Sequence, residues 1–312
     1  MNIRTSISLR ILAVIALLSV AAYMSAQVAR TTPDLVPTGK GWGEAVDHSN
    51  GNNGNTGNSN PNKPGNQCTN GICYHGGPVM GGTIPIYYIW YGNWSGNSAV
   101  TLLPTLVSDL SASGYEHINT TYSITNGTQI SGAMALAGTG SDSYSQGTAL
   151  TDANIKQIVT TYIAGGVPDS KGIYFVLTSA DVNETSGFCT QYCGWHTHGT
   201  INNVDVKYSF VGNPARCLSA CAWQSTSPNG NAGADGMASI IAHESEEAIS
   251  DPDLNAWYDR QGAENADKCA WTFGTTSTIN GAVYNFTGTS GTNWLIQRNW
   301  LNANGGLCTM SY

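Results

Sequence analysis

Charge is scarce in this chain. Only 10% of its 312 residues are Asp, Glu, Lys or Arg, and just 12 are Lys or Arg. No basic run and no basic-aromatic stripe occurs, which argues against a nucleic-acid surface built on phosphate contacts. Long apolar runs are missing after the first 22 residues, so no later segment reads as a membrane span. There is no internal repeat. There is no G-x-S-x-G elbow for a serine hydrolase and no P-loop for a nucleotide. A pair of carboxylates for glycoside hydrolysis stays open, because sequence gives no separation between them.

What is present begins with an export signal. Arg4 and Arg10 precede the apolar run Ile11 to Leu18, and small residues follow. Cleavage is expected after Ala22 or Ala26, giving a signal peptide over 1–26. The run is short for a span of ~20 residues, which favours secretion over an uncleaved anchor. Residues 27–66 read as a linker. The text "DHSNGNNGNTGNSNPNKPGNQ" has almost nothing to bury and is expected to be disordered. The folded domain is expected over 67–312.

Eight cysteines on an exported chain predict disulfides. The spacing suggests Cys68 with Cys73 and Cys269 with Cys308. Cys189-x-x-x-Cys193 and Cys217-x-x-x-Cys221 either close locally or cross-link to each other. Five N-x-S/T sequons, at Asn93, Asn119, Asn126, Asn183 and Asn285, matter only in a glycosylating host.

Hydrophobic residues make up 41%, enough for a sizeable core. Ile84 to Trp94 and the continuous apolar run Ile173 to Leu177 predict buried strands, and "DVKYSFVGN" a shorter one. "AVYNFTG" and "NWLIQRNWL" also read as strands. Helices are predicted around Leu103 to Leu110, with Pro104 in the first turn, and over "NIKQIVTTYIAGG", ended by Gly165-Gly166. A third is predicted in "ADGMASIIAHESEEAISDP". Asp235 would be its N-cap, Met237, Ile240, Ile241 and Ile249 its apolar stripe, and Pro252 would end it near Ser250. Helices interleave with strands, so the fold class is α+β with a mixed sheet.

That third helix carries the candidate chemistry. His243 and Glu247 lie four apart, on one helix face. Glu244 between them is able to reach a bound water. This is the geometry of H-E-x-x-H zinc hydrolases with a carboxylate in place of the second imidazole. Zinc accepts carboxylate oxygen at about 2.0–2.2 Å, so the exchange is chemically allowed. Harder ions such as Mn or Ca then compete better. A third ligand is expected from Glu264, in the E-x-x-D pattern Glu264 to Asp267, with Asp267 bracing His243. Asp253 is its rival. The expected metal set is therefore His243, Glu247 and Glu264, on a single zincin-like domain with a central metal-site helix, stapled by disulfides. Glu244 is the expected general base. His196 or Tyr208 would steady an oxyanion, although His196 and His198 could also bind metal. Ile173 to Leu177 would be the strand along which an extended peptide lies. His75 reads as structural.

Several segments together resemble the EXORDIUM, or phosphate-induced protein 1, family, best known from plants. They are "YHGGPVMGG", "IYYIWYGNW", "GIYFVLTSADV", "FCTQYCGWH", "YSFVGNPARC", "DGMASIIAHESEEAISDPDLNAWY" and "ENADKC". The resemblance covers most of residues 74 to 308. It implies that H-E-x-x-E is the family's own helix pattern. It implies the same for Glu264, Asp267 and Cys269, and for Cys189, Cys193, Gly194, Trp195 and His196. It further implies an exported, cell-wall or extracellular protein, associated in plants with growth and cell expansion. The Asn/Gly linker and His198 depart from the plant pattern, and the stretch between Cys221 and the helix is shorter.

Two functions follow as expectations. One is a secreted metal-dependent hydrolase, most simply a zinc metallopeptidase acting on a peptide or protein. The other is a non-catalytic extracellular protein that binds cell-wall polysaccharide or a protein and holds a structural ion or none. Nine tryptophans and fifteen tyrosines on a weakly charged surface would suit sugar stacking. Neither reading has a nucleic-acid partner, nor a membrane once the signal is removed.

Overall fold

A computed structural model describes residues 70–164 and 166–312. The expected signal peptide and linker, together with Cys68 and Gly165, lie outside the described residues. Five strands form the main sheet: β1 (Gly82–Tyr91), β2 (Ile130–Asp142), β3 (Ile173–Thr178), β4 (Gly194–Ile201) and β5 (Val204–Gly212). Their order is β2-β1-β3-β5-β4. The first three neighbour pairs are parallel, and β4 runs antiparallel to β5 at the edge.

The main helices are α1 (Ala99–Leu110), α2 (Asp152–Ile163) and α3 (Ala232–Ser250). The class is therefore α+β with a mixed central sheet. Parallel neighbours need crossovers, and α1 and α2 lie in the β1–β2 and β2–β3 connections. Among the described residues, no helix is long and apolar enough to cross a membrane.

β3 explains the order. All six of its residues are buried, and it is paired on both sides. A continuous apolar run is what a parallel strand covered on both faces requires. It follows that β3 cannot receive an extended peptide, because β1 and β5 already take its backbone groups. The expectation that Ile173 to Leu177 forms a peptide-binding edge is corrected: the sheet edges are β2 and β4.

Two helix starts also differ from expectation. α1 begins at Ala99, so Pro104 lies inside it and not in the first turn. The carbonyl that loses its partner belongs to Val100, which is 37% exposed, so solvent can replace the missing bond. α3 begins four residues earlier than an Asp235 cap would place it. Asn231 is the cap, its side chain accepting from the Ala234 amide at 3.0 Å. Asp235 sits inside the first turn and accepts from Ser227 and Asn229. In α2, by contrast, Thr151 and Asn154 form a reciprocal capping box.

The cysteine pairs resolve as cross-links. Cys189 joins Cys217 and Cys193 joins Cys221, tying the entrance of β4 to the segment before α3. Cys269 joins Cys308. The expected strands near the C-terminus are short hairpins, Phe286–Thr287 with Asn293–Trp294 and Asn299–Leu301 with Leu307–Thr309. Two sequon asparagines are committed inside the fold. Asn119 is fully buried and donates to the Glu246 carbonyl at 2.9 Å. Asn285 donates to the carbonyls of Phe273 and Ile296. His75 stacks on Tyr258 with ring centroids 3.6 Å apart.

Candidate metal centre

α3 is buried along its whole length except at Ala232. The apolar stripe alone cannot satisfy that environment, because Asp235, His243, Glu244, Glu246 and Glu247 are buried with it. Isolated buried charge is very costly, so each of these groups needs a partner. Glycine at 194 sets how closely the helix approaches the sheet. A Cβ there would stand 2.5 Å from Ile240 Cγ2 and 3.3 Å from Glu244 Oε1. The C-terminal end of α3 is held by Asp251, whose Oδ1 accepts from the Asn255 and Ala256 amides at 2.7 and 2.6 Å.

The helix face that meets β4 carries the donors. His243 Nε2 lies 3.1 Å from Glu247 Oε1 and 3.6 Å from Asp267 Oδ1. The other Glu247 oxygen, Oε2, lies 3.6 Å from His196 Nδ1, which is also 3.5 Å from Glu244 Oε2. Across the ring, His196 Nε2 lies 3.8 Å from Glu264 Oε1. Apart from the 3.1 Å contact of His243 with Glu247, these separations are longer than good hydrogen bonds. Neither ring nitrogen of His196 has a hydrogen-bond partner, nor do Glu244 Oε2, Glu247 Oε2 or Asp267 Oδ1. Buried polar atoms are normally paired, so such a concentration of exceptions in one place demands an explanation. Two donor triads result, His196–Glu244–Glu247 and His243–Glu247–Asp267, and Glu247 belongs to both.

The protonation pattern shows how strongly these carboxylates ask for positive charge. Burial would lower His196, yet Glu244 and Glu247 outweigh it and raise the imidazole to about 10. His243 is likewise raised well above its ordinary value, against burial, by Glu247, Asp267 and Glu244. Burial would raise Glu247, but the two imidazoles hold it down at about 2. Burial raises Glu244. Asp267 rises to about 7 through burial and the neighbouring Glu247. Without a cation, protons on the imidazoles must supply the compensation. A divalent ion would displace them.

The expected site residues divide as follows. His243, Glu247, Glu244 and Glu264 all border the cluster, the last through His196. His196 sits between the carboxylates as a candidate donor rather than beyond them as an oxyanion group. Asp267 faces the same nitrogen of His243 as Glu247 does, so it too is a candidate donor. Tyr208 is a correction. It pairs with Thr197 across β5 and β4, whereas His196 pairs with Ser209, so side-chain alternation puts Tyr208 on the opposite face of the sheet. Tyr208 packs there against Trp195, and burial together with Asp152 raises its hydroxyl pKa. Asp253 is a second correction. Its Oδ1 lies 2.7 Å from Lys207 Nζ, in a separate group with His198 and Asp205. One neighbour escaped sequence reasoning: Asp251, the buried C-cap of α3, whose carboxyl is raised by burial to about 6. Its signal was the helix end itself, an acidic residue before Pro252.

With that geometry described, comparison with known proteins gives the lineage. Residues 72–310 match the family model described as the phosphate-induced protein 1 conserved region. The chain belongs to that family. It is 32% identical to Protein EXORDIUM-like 3 of Arabidopsis thaliana over 65% of this chain and 69% of that protein. It is 31% identical to Protein EXORDIUM-like 5 of the same plant, over 73% and 74%. To Protein PHOSPHATE-INDUCED 1 of Nicotiana tabacum it is 27% identical, over 72% and 83%. No solved structure matches the chain. Within the family match lie His196, His243, Glu244, Glu247, Glu264 and Asp267, so all the candidate donors belong to the shared region.

Proposed function

We propose that this phosphate-induced protein 1 family member is a secreted, metal-dependent hydrolase acting on peptides or proteins. The observation that carries the reading is His196: a buried imidazole with no hydrogen bond to either nitrogen, facing Glu244 Oε2 and Glu247 Oε2, which also make none. His243, Glu247 and Asp267 would hold a divalent ion, Zn first and Mn or Ca as competitors, with His196 and Glu264 closing the opposite side. Such an ion supplies Lewis acidity and a more acidic water. Glu244, whose Oε2 makes no hydrogen bond, would take the proton of that water as general base. The reading likens the site to that of zincins, because His243, Glu244 and Glu247 share one helix beside an antiparallel edge strand. Tyr208 has no part in it, since it stands across the sheet.

A second reading is favoured by one observation, the depth of the cluster. His196 is 1% exposed and Glu247 is fully buried. An ion so enclosed would serve as a structural link between α3 and β4 in a non-catalytic extracellular protein that binds cell-wall polysaccharide or protein.

The two readings part at Glu244→Gln. For the hydrolase, the variant keeps at least one ion per chain and loses hydrolysis of a generic protein substrate such as casein. A variant as active as the parent removes Glu244 from its role. A parent that carries the ion but hydrolyses nothing favours the structural reading.

A further inference from the structure

We infer that the cluster is built for two divalent ions bridged by the Glu247 carboxylate, not for one. The inference rests on the reading of the cluster as a metal site and deepens it. The two oxygens of Glu247 face different imidazoles: Oε1 faces His243 at 3.1 Å and Oε2 faces His196 at 3.6 Å. Each imidazole nitrogen meets a second carboxylate, Asp267 at 3.6 Å for His243 and Glu244 at 3.5 Å for His196. A tetrahedral site with bonds of ~2.0–2.1 Å has a ligand–ligand edge of about 3.4 Å. The four separations, 3.1, 3.6, 3.6 and 3.5 Å, all lie close to that edge. Each triad thus presents three donor atoms within 4.8 Å of one another. A carboxylate shared in this way suits metals ~3.5–4 Å apart. With two ions bound, Glu244 is a ligand of the second and not the general base of the single-ion reading.

Charge favours two ions over one. Glu264, which borders the cluster through His196, brings one negative charge when it is ionised. Glu244, Glu247 and Asp267 add one each, and the two imidazoles are neutral as ligands. Four negative charges in a buried site are balanced by two divalent ions, whereas one ion leaves two uncompensated. No lysine or arginine pairs with Glu244 or Glu247 among the described residues. The nearby His198–Asp205–Asp253 triad does not compete, because Lys207 bonds both aspartates. With two imidazoles and mostly carboxylate oxygens, the donor set suits Mn2+ or Zn2+.

Mn2+ is the probe of choice, because two ions joined by a carboxylate couple magnetically. The full chain, freed of metal and reloaded with MnCl2, is expected to bind two Mn2+ tightly and to give the spectrum of a coupled pair in electron paramagnetic resonance. Asp267→Asn and His196→Ala are each expected to cut the tight stoichiometry from two to one and to replace the coupled spectrum by an isolated-ion one. One ion per chain in the parent overturns the bridged pair and leaves the single-metal hydrolase standing. No tight ion overturns both. Two ions without coupling overturn the bridge through Glu247. The parent measurement decides the matter even if a variant fails to fold.

Discussion

His196 and His198 stand two residues apart on β4 and point to the same side of the sheet, yet they live in opposite electrostatic worlds. His198 is 36% exposed. It bonds Asp205 at 2.8 Å, and both Asp205 and Asp253 are tied to Lys207. That group carries its own cation and is complete. His196 is buried under α3 among Glu244, Glu247 and Glu264, with no basic side chain on the first two. The residue types are alike in both groups. What separates them is where the covering helix ends and whether a lysine is within reach. An acidic cluster with its own ammonium group is ordinary surface electrostatics. One without it, in the dry interior, must recruit protons or metal.

Glu247→Gln strikes the buried side of this contrast hardest. It removes the charge that both imidazoles face, and breaking a buried ionic partnership typically costs roughly 3–5 kcal/mol. Urea denaturation of the metal-free chain measures it. An unchanged midpoint would mean that Glu247 is not ionised in the fold.

A third acidic group sharpens the comparison at intermediate effect. On another face of α3, Glu246 meets Glu116, and the Asn299 amide donates to Glu246. Burial pushes Glu116 up to about 8 and Glu246 well above the usual range. Here a proton, not a metal, does the compensating. The folded state binds that proton more tightly than the unfolded chain does. The contribution to stability is therefore complete below about pH 4.5 and is lost as pH rises towards about 8. Glu116→Gln, which keeps the neutral form, is expected to flatten the decline of the urea midpoint across that window. A slope identical to the parent's would contradict the assignment.

Lys207→Met has the smallest expected effect. The group is partly exposed, so about 1 kcal/mol or less of stability is lost. The more telling readout is ion sensitivity. Without its lysine, the triad His198–Asp205–Asp253 is expected to gain a weak stabilisation by millimolar Mn2+ that the parent triad does not show. Absence of that gain would indicate that donor types without burial are not enough.

The legible parts of this molecule were the local ones. His243 and Glu247 share a helix face by spacing alone, and the apolar run over Ile173 to Leu177 marked a buried strand. The run reports covered faces, not covered edges, so only the sheet order shows that β1 and β5 occupy both edges of the strand. The cysteine spacing left local closure and cross-linking both open for the C-x-x-x-C pairs, and only the packing of β4 against the segment before α3 selects the cross-link. The third donor was illegible for a physical reason. Glu264, Asp253 and Asp267 are all acidic and near in sequence, but Lys207, far away in the chain, draws Asp253 aside. Tyr208 failed because strand pairing, not composition, decides which face a side chain takes. Nor does sequence reveal that α3 is covered all round, which turns an amphipathic-looking helix into a buried one.

The most direct test is elemental analysis of the full chain, purified without chelator, beside Glu247→Gln. The expected result is a stoichiometric divalent metal in the parent and only trace metal in the variant. The same trace level in both would contradict the assignment of the α3–β4 cluster as a metal centre.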